Sequence, residues 1–390
     1  ALAFIDRSPL STSTQALVGC LLVSLFVAGF PIVLWLAWLF DLTRHGIIRE
    51  KAPARGRSIT AYSALAAVIV ATGVALWTLN PCGFGRVLGV AVLPCSYRGA
   101  AEFDYQAQGI SAELNYRLSH LPQLQVPANP SVVHFSDRLV GPDKLANALG
   151  VSNLVECTMR RDDSRMTFDL RLHHPDDDTR RWTSEYSGQV SDELLLVADA
   201  FRDLLGVDAL GVAALAGTRT KRVNTPPTLS QEAWAAYQKA RLIELEGNIR
   251  GALALYGKAA VIDPDFARAH AAAARLLWYA TLLPDSGPTD KSALLDAAKA
   301  HTHRALQAER PGAESLSMQR VLLESQDAAG QLHDEIVKIR PGYAEEYYFW
   351  GAWLDRQGRH EDAAASYLKA GALDPAGEIQ RQYAAILAPL

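Results

Sequence analysis

The stretch YYFWGAWLDRQGRHEDAAASYLKAGALDP, residues 347–375, decides the fold of the carboxy-terminal third of the chain. Its small and aromatic residues resemble, from residue 344 on, the pattern of a known helix-turn-helix repeat of about 34 residues. The resemblance implies two packed helices rather than a strand or an aromatic ligand cage. The matching positions are Tyr347, Trp350, Gly351, Leu354, Ala363, Tyr367, Ala370 and Pro375.

The second half of the same pattern occurs earlier in the chain, within residues 233–264. Two less regular helix pairs, at 267–311 and 313–341, fill the interval between the two matches. The series resembles the tetratricopeptide repeat (TPR) family, and the resemblance implies an all-α TPR solenoid of about four repeats over 231–390. The earlier positions that match are Ala252, Tyr256, Ala259 and Pro264.

The TPR resemblance separates the four consecutive aromatic residues at 347–350 by role. Tyr347 and Trp350 are expected to pack between the two helices of the last repeat, and Gly351 allows their close approach. Tyr348 falls where TPR proteins line a peptide groove, and such a groove would suit an acidic or carboxy-terminal segment of a partner protein. The alternative is that the arginines at these positions are only solvated. The candidate groove residues are Trp234, Tyr237, Arg241, Arg268, Arg275, Trp278, Tyr279, Tyr348 and Arg356.

Two uncharged stretches near the amino terminus predict transmembrane helices. Residues 16–40 and 59–80 each exceed the roughly 20 residues that span a bilayer. The loop between them, 41–58, has more basic than acidic residues, so it is expected in the cytoplasm. This orientation predicts a bacterial inner-membrane protein whose later domains lie in the periplasm, with the lipid bilayer as a partner. A secretory signal and a hairpin of buried soluble helices are the alternatives.

The middle of the chain alternates strand and helix signals, which predicts an α/β domain with a mixed sheet over 83–210. Residues 86–95 form a predicted buried strand, and residues 123–135 form a predicted edge strand broken by prolines. A later pair of strands, 153–174, leads to a closing helix that Ser191 would cap. Residues 211–230 contain two adjacent prolines and predict a linker.

The segments VAVLPC, GISAELNYRLSHLPQLQV, LANALGVSNLVECTMRR and MTFDLRLHHPDDDTRRWTSEY occur in the order found in TolB-like amino-terminal domains. The resemblance covers nearly all of 86–208. Cys95 and Cys157 replace residues that are usual in that family, and if the first and third strands are neighbours, the two cysteines could form a disulfide. Two buried free thiols are the alternative, and Cys82 is a competing partner for Cys95.

The chain shows no pattern that predicts catalysis. It contains no G-x-S-x-G, P-loop or H-E-x-x-H motif, and the resemblance to TolB-like domains supplies no catalytic residues. His173 and His174 precede three aspartates, but neighbouring strand residues point to opposite faces and would not share one ion. We therefore expect no enzyme activity, no cofactor and no metal. A net charge of −4 gives no reason to expect nucleic-acid binding.

These features together predict an α+β multi-domain membrane protein that binds other proteins. The first hypothesis is a membrane-anchored periplasmic scaffold, such as an accessory subunit of an envelope complex, whose TPR groove and transmembrane hairpin hold partners. The second is the sensor half of a signalling regulator with an output domain upstream, and the third is a hydrolase within the α/β domain. The predicted order is an amino-terminal tail (1–15), two transmembrane helices (16–40 and 59–80) around a loop (41–58), a TolB-like domain (83–210), a linker (211–230) and TPR repeats (231–390).

Overall fold

A computed structural model describes most of the chain after residue 87 and a short part before it. The described residues are 40–43, 46–49, 88–139, 141–174, 182–207, 223–282, 288–308, 311–322 and 326–383. By contacts the chain divides into two compact units, Ala1–Arg86 and Val87–Leu390. The predicted α/β domain and helical repeats therefore belong to one unit, and the predicted membrane segments belong to the other.

The structure corrects the transmembrane part of the predicted fold class. In the part of the chain that it describes, no helix is both long enough and apolar enough to cross a membrane. Residue 40, the predicted end of the first transmembrane helix, instead begins strand β1 (Phe40–Thr43), which pairs antiparallel with β2 (Gly46–Arg49) inside the predicted basic loop. The remainder of the two segments, 16–39 and 59–80, lies outside the described residues. The architecture that the structure supports is a mixed sheet with many helices.

A six-stranded mixed sheet forms the centre of the α/β domain. Its strands are β3 (Leu88–Val92), β4 (Ser96–Arg98), β5 (Leu124–Gln125), β6 (Asn153–Arg161), β7 (Arg165–His173) and β8 (Trp182–Gln189). The order across the sheet is β5-β3-β6-β7-β8, and β4 also pairs with β6. The β3–β5 and β3–β6 pairs are parallel, because helices connect these strands along the chain. The β6–β7 and β7–β8 pairs are antiparallel.

Helices cover both faces of this sheet. They are α1 (Asp104–Leu118), α2 (Asn129–Ser136), α3 (Pro142–Leu149) and α4 (Glu193–Leu205). In β3, Val90 and Val92 belong to the core that α1 and α4 cover, whereas Ala91 packs with Val132 of α2 and Leu149 of α3. This alternation follows from the two-residue period of a strand and explains why β3 reads as a continuous apolar run.

Two local predictions in this domain were wrong. Residues 129–135 were expected to continue an edge strand, but only Leu124–Gln125 is a strand, and α2 begins at Asn129 with Pro130 in its first turn. Proline is favoured at that position because its missing N–H has no partner in a first turn. Ser191 does not cap the closing helix, since its hydroxyl donates to Asp192 and it lies in the preceding 3-10 turn, Val190–Asp192.

Cys95 and Cys157 are joined by a disulfide in the structure. Their Cα atoms lie 4.4 Å apart, and the two residues are separated by 62 positions in sequence. The bond connects the end of β3 to β6, which are adjacent parallel strands, and both side chains are buried in the main core of the domain. The disulfide therefore fixes the centre of the sheet.

The helical array follows the α/β domain and consists of successive antiparallel helix pairs. Eight of its nine described helices lie in the four predicted pairs, and a short helix follows them. Side chains cap the first two helices: Ser230 accepts from the N–H of Ala233, and Asn248 accepts from that of Gly251. The bounds are α5 (Gln231–Leu245), α6 (Ile249–Ile262), α7 (Ala267–Leu282), α8 (Pro288–Gln307), α9 (Ala313–Val321), α10 (Gln326–Ile339), α11 (Ala344–Arg356), α12 (His360–Leu373) and the short α13 (Glu378–Gln382).

The carboxy-terminal end of the array forms hydrogen bonds with the α/β domain. The N–H of Ala128 donates to the carbonyl of Leu373 at 2.7 Å, and the Ser131 hydroxyl donates to the buried carboxylate of Asp374 at 2.5 Å. Nearer the middle, the N–H of Gly342 donates to the carbonyl of Ser119 at 3.0 Å. Backbone hydrogen bonds of this kind require the two segments of the chain to lie close together. The array therefore packs against the α/β domain rather than following it as a separate body.

Candidate functional site

The first repeat contacts the α/β domain through residues that were predicted to line a peptide groove. Trp234 is 3% exposed, and its Nε1 donates to Oε1 of Glu193 in α4 at 2.8 Å. Tyr237 stacks on Trp234 with ring centroids 5.6 Å apart. Gln238 and Gln106 also donate to the Glu193 carboxylate. Trp234 is therefore an intramolecular anchor, and its indole is not available to a partner.

Burial gives Glu193 an unusual electrostatic state. It raises the pKa of Glu193 from 4.5 to about 7, although the hydrogen bonds from Trp234, Gln238 and Gln106 partly offset that effect. No cation among the described residues forms an ion pair with this carboxylate. The contact between α4 and α5 therefore includes a carboxyl group that changes its charge near neutral pH.

The second repeat contacts the α/β domain through Arg268 of α7. Its Nη1 lies 2.7 Å from Oε2 of Glu113, and its guanidinium carbon lies 3.6 Å from the centroid of the Tyr116 ring. Burial alone would raise the pKa of Glu113, but Arg268 and Arg117 outweigh it and hold that pKa below its usual value. Arg340 stacks over the Tyr116 ring as well, at 4.5 Å. The end of α1 is thus enclosed by arginines of the array.

The other predicted groove residues divide into internal and exposed positions. Arg275 pairs with Glu244 at 2.7 Å, Trp278 packs edge-on against Phe349, and Tyr279 packs edge-on against Tyr383. Tyr348, expected to be available to a partner, is only 4% exposed. Its hydroxyl lies 3.5 Å from Asp374. Arg356 is exposed, and Arg241 is half-buried without an ion pair among the described residues. Most of these side chains therefore hold the molecule together.

The aromatic run 347–350 is packed on two sides of α11. Phe349 lies in the core with Tyr383, whereas the Trp350 ring stacks on His333 of α10 at 4.5 Å. A Cβ added to Gly351 would lie 2.7 Å from the Tyr367 ring, so glycine permits the approach of α12. The Trp350 ring also stacks on Trp353 of its own helix, at 4.7 Å, so its ring contacts lie in its own repeat and in the repeat before. Packing of Trp350 between α11 and α12 stays a prediction.

An open groove lies beside these contacts and was not predicted. It has a volume of about 1100 Å³ and is bordered by the segment 225–229, the start of α7 and the helices α9 and α10. Pro226, Pro227 and Leu229 form one wall, and Leu229 is 95% exposed. We call it the acidic groove, after its exposed carboxylates Asp265, Asp334 and Glu335.

The acidic groove has an excess of unpaired negative charge. Asp265, Asp334 and Glu335 form no ion pair within the described residues, and Lys338 is the exposed cation nearby. Arg268 and Glu314 also border the groove, but each is neutralised by a partner. His120 lies at the inner end, where burial and then Arg340 lower its pKa to about 3, so its ring is uncharged at neutral pH. The groove therefore favours cationic ligands.

The sequence contained the parts of this groove but no signal that joined them. The segment with the two prolines was interpreted as a linker, and the carboxylates lie on two segments far apart in the chain, at Asp265 and at Asp334 and Glu335. Among the described residues, no group of three or more His, Cys, Asp or Glu side chains is arranged to hold a metal ion. Neither a comparison with known protein families nor one with curated proteins finds a match to this chain.

Proposed function

We propose that this protein binds other proteins, and that the acidic groove receives an extended basic segment of a partner. The observation that carries the proposal is an open groove of about 1100 Å³ that presents three exposed carboxylates without ion pairs. Opposite charge across an interface steers association and selects partners. The proline-rich wall adds an apolar surface against which an extended chain can pack.

The chemistry of the proposed partner differs from the one first expected. An acidic peptide would need the arginines and aromatics of the repeats, yet Trp234, Arg268 and Arg275 are already engaged within the molecule. The exposed charge that remains at the groove is mainly acidic. A segment rich in Lys or Arg fits this surface better, because its charges would find partners without breaking the contacts between the array and the α/β domain.

The disulfide supports a location outside the reducing cytoplasm. Disulfides persist in secreted and periplasmic proteins and are rare in the cytosol. We therefore propose that the α/β domain and the array work in an oxidising compartment such as the periplasm, and that their role is to hold partner proteins rather than to catalyse a reaction.

Peptide display against the intact chain tests this function. A random peptide library should yield segments enriched in Lys and Arg, and their affinity should fall as salt is raised. The double substitution D334K/E335K should abolish that enrichment. The matched control is D162K/D163K, which reverses two exposed acids at the β6–β7 turn, outside the groove. Peptides without a basic bias, or equal selection by both variants, would show that the groove does not bind such a partner.

A further inference from the structure

A second, smaller cavity lies between the array and the α/β domain. Its volume is about 120 Å³, the room of about four water molecules at roughly 30 Å³ each. Asn129 and Pro130 border it from the α/β domain, and helices α5, α6, α7 and α11 border it from the array. We call it the inner cavity, defined by Tyr237, Arg241, Tyr343 and Glu345.

Most charges around the inner cavity are already neutralised. Four arginines line it, and three of them have a carboxylate within hydrogen-bond distance, so these three pairs contribute little net charge. The pairs are Arg268–Glu113 at 2.7 Å, Arg275–Glu244 at 2.7 Å and Arg340–Glu314 at 2.5 Å.

Two charges of opposite sign remain without such a partner. Arg241 and Glu345 both line the inner cavity, and neither forms an ion pair among the described residues. Within the same residues the Arg241 guanidinium makes no hydrogen bond, and the Glu345 carboxylate accepts one only from its own backbone N–H. Burial raises the pKa of Glu345 although Arg340 opposes it. Both side chains are half-buried, and a charge that has lost part of its contact with water is stabilised by a partner of opposite sign. This arrangement points to a ligand that supplies both charges.

Two tyrosine hydroxyl groups at the inner cavity also form no hydrogen bond within the described residues. Tyr237 precedes Arg241 by one helical turn, so both point to the same face of α5. Neither the Tyr237 nor the Tyr343 hydroxyl takes part in a hydrogen bond within the described residues, although Tyr256 beside them donates to Glu244 at 2.8 Å. Burial raises the pKa of both tyrosines, so their hydroxyls stay protonated and able to donate.

We propose that the inner cavity binds a small zwitterion of the α-amino acid class. Its carboxylate would accept hydrogen bonds from Arg241 and a tyrosine hydroxyl, and its ammonium would donate to Glu345. A simple anion would leave Glu345 unpaired, and a simple cation would leave Arg241 unpaired. The volume restricts the ligand to a small side chain. Because the cavity has walls from both parts of the unit, binding would strengthen the attachment of the array to the α/β domain.

Calorimetry with the intact chain tests the proposal, using the common L-α-amino acids one at a time. We expect at least one small amino acid to bind and to raise the melting temperature, because a ligand that binds only the folded state stabilises it. Its amide, which lacks the carboxylate, and its N-acetyl form, which lacks the ammonium, should each bind at least about tenfold more weakly.

Substitutions identify the two charged contacts. R241Q and E345Q should each weaken binding at least about tenfold, whereas R250Q and E246Q, at exposed positions of α6 and the preceding turn, should leave it unchanged. Circular dichroism would establish that every variant is folded. The proposal is wrong if no amino acid binds at about 10 mM, if the blocked forms bind as well as the free one, or if R241Q and E345Q bind like the controls. Because none of these residues lies at the exposed carboxylates of the acidic groove, failure here leaves the peptide-binding function untouched.

Discussion

Arg268 of the helical array forms an ion pair with Glu113 of the α/β domain at 2.7 Å, across 155 positions of sequence. Glu113 is fully buried, and Arg117 of the same helix pairs with it as well, at 2.9 Å. The carboxylate is therefore shared between its own helix and the array. This relationship explains why a position expected to serve a partner protein is used inside the molecule.

Replacing Arg268 with glutamine should lower the stability of the protein. The variant leaves a buried carboxylate with a single partner, and breaking a buried pair of this kind costs about 3–5 kcal/mol. Urea unfolding would measure the loss. The matched control is R202Q, since the Arg202–Asp199 pair is exposed and should contribute less than about 1 kcal/mol. Equal, small effects of the two substitutions would contradict a structural role for the Arg268–Glu113 pair.

Removing the disulfide should destabilise the α/β domain. The double substitution C95A/C157A opens a loop with a sequence separation of 62, and loss of such a constraint typically costs about 2–4 kcal/mol. The measurement is thermal unfolding of the two proteins under oxidising conditions. Addition of a reductant should lower the stability of the original chain and leave the variant unchanged. If mass spectrometry of the original chain shows free thiols at Cys95 and Cys157, the two cysteines are not paired and this prediction fails.

Stability should fall between mildly acidic and neutral pH because of Glu193. Its pKa is 4.5 when unfolded and about 7 when folded. The protonated group thus contributes stability that is complete below pH 4.5 and is lost as the pH rises through about 7. The loss is on the order of 3 kcal/mol.

The difference between the original chain and E193Q isolates this effect, because other carboxyl groups titrate alike in both proteins. Urea unfolding at intervals from pH 4 to pH 8 should show the stability of the original chain falling relative to E193Q, with most of the change between 4.5 and about 7. A difference that is constant over this range would mean that the carboxyl group titrates normally.

Two glycines of the last repeat should respond in opposite directions to alanine. G351A places a Cβ at 2.7 Å from the Tyr367 ring, and such overpacking costs about 1–3 kcal/mol. G371A lies in α12 with nothing within 4 Å of its added Cβ, so the helix should gain about 0.5–1 kcal/mol. Thermal unfolding of both variants checks the prediction. Equal destabilisation by G371A and G351A would contradict the prediction, because the effect of G351A would then not depend on the contact with Tyr367.

The regular elements were largely accessible from sequence because their signals are local. The helix pair of the last repeat was predicted from its resemblance to a 34-residue repeat pattern, and the buried strand at 88–92 was predicted from its apolar run. The helix α2 was missed because its β-branched valines favour a strand locally, whereas packing of Val132 against Ala91 stabilises a helix there. Tertiary contacts overrode the local preference at that point.

The sequence by itself determined the helix pairs, most strands of the sheet and the placement of Cys95 and Cys157 at the first and third of its predicted strands. Only the tertiary structure decided how the array meets the α/β domain. That arrangement depends on contacts such as Trp234 with Glu193 and Arg268 with Glu113, whose partners are 41 and 155 residues apart. A repeat pattern records which face of a helix is apolar or aromatic. It does not record whether that face is covered by a partner or by the same chain, because the free energy of either contact depends on residues that lie elsewhere in the sequence.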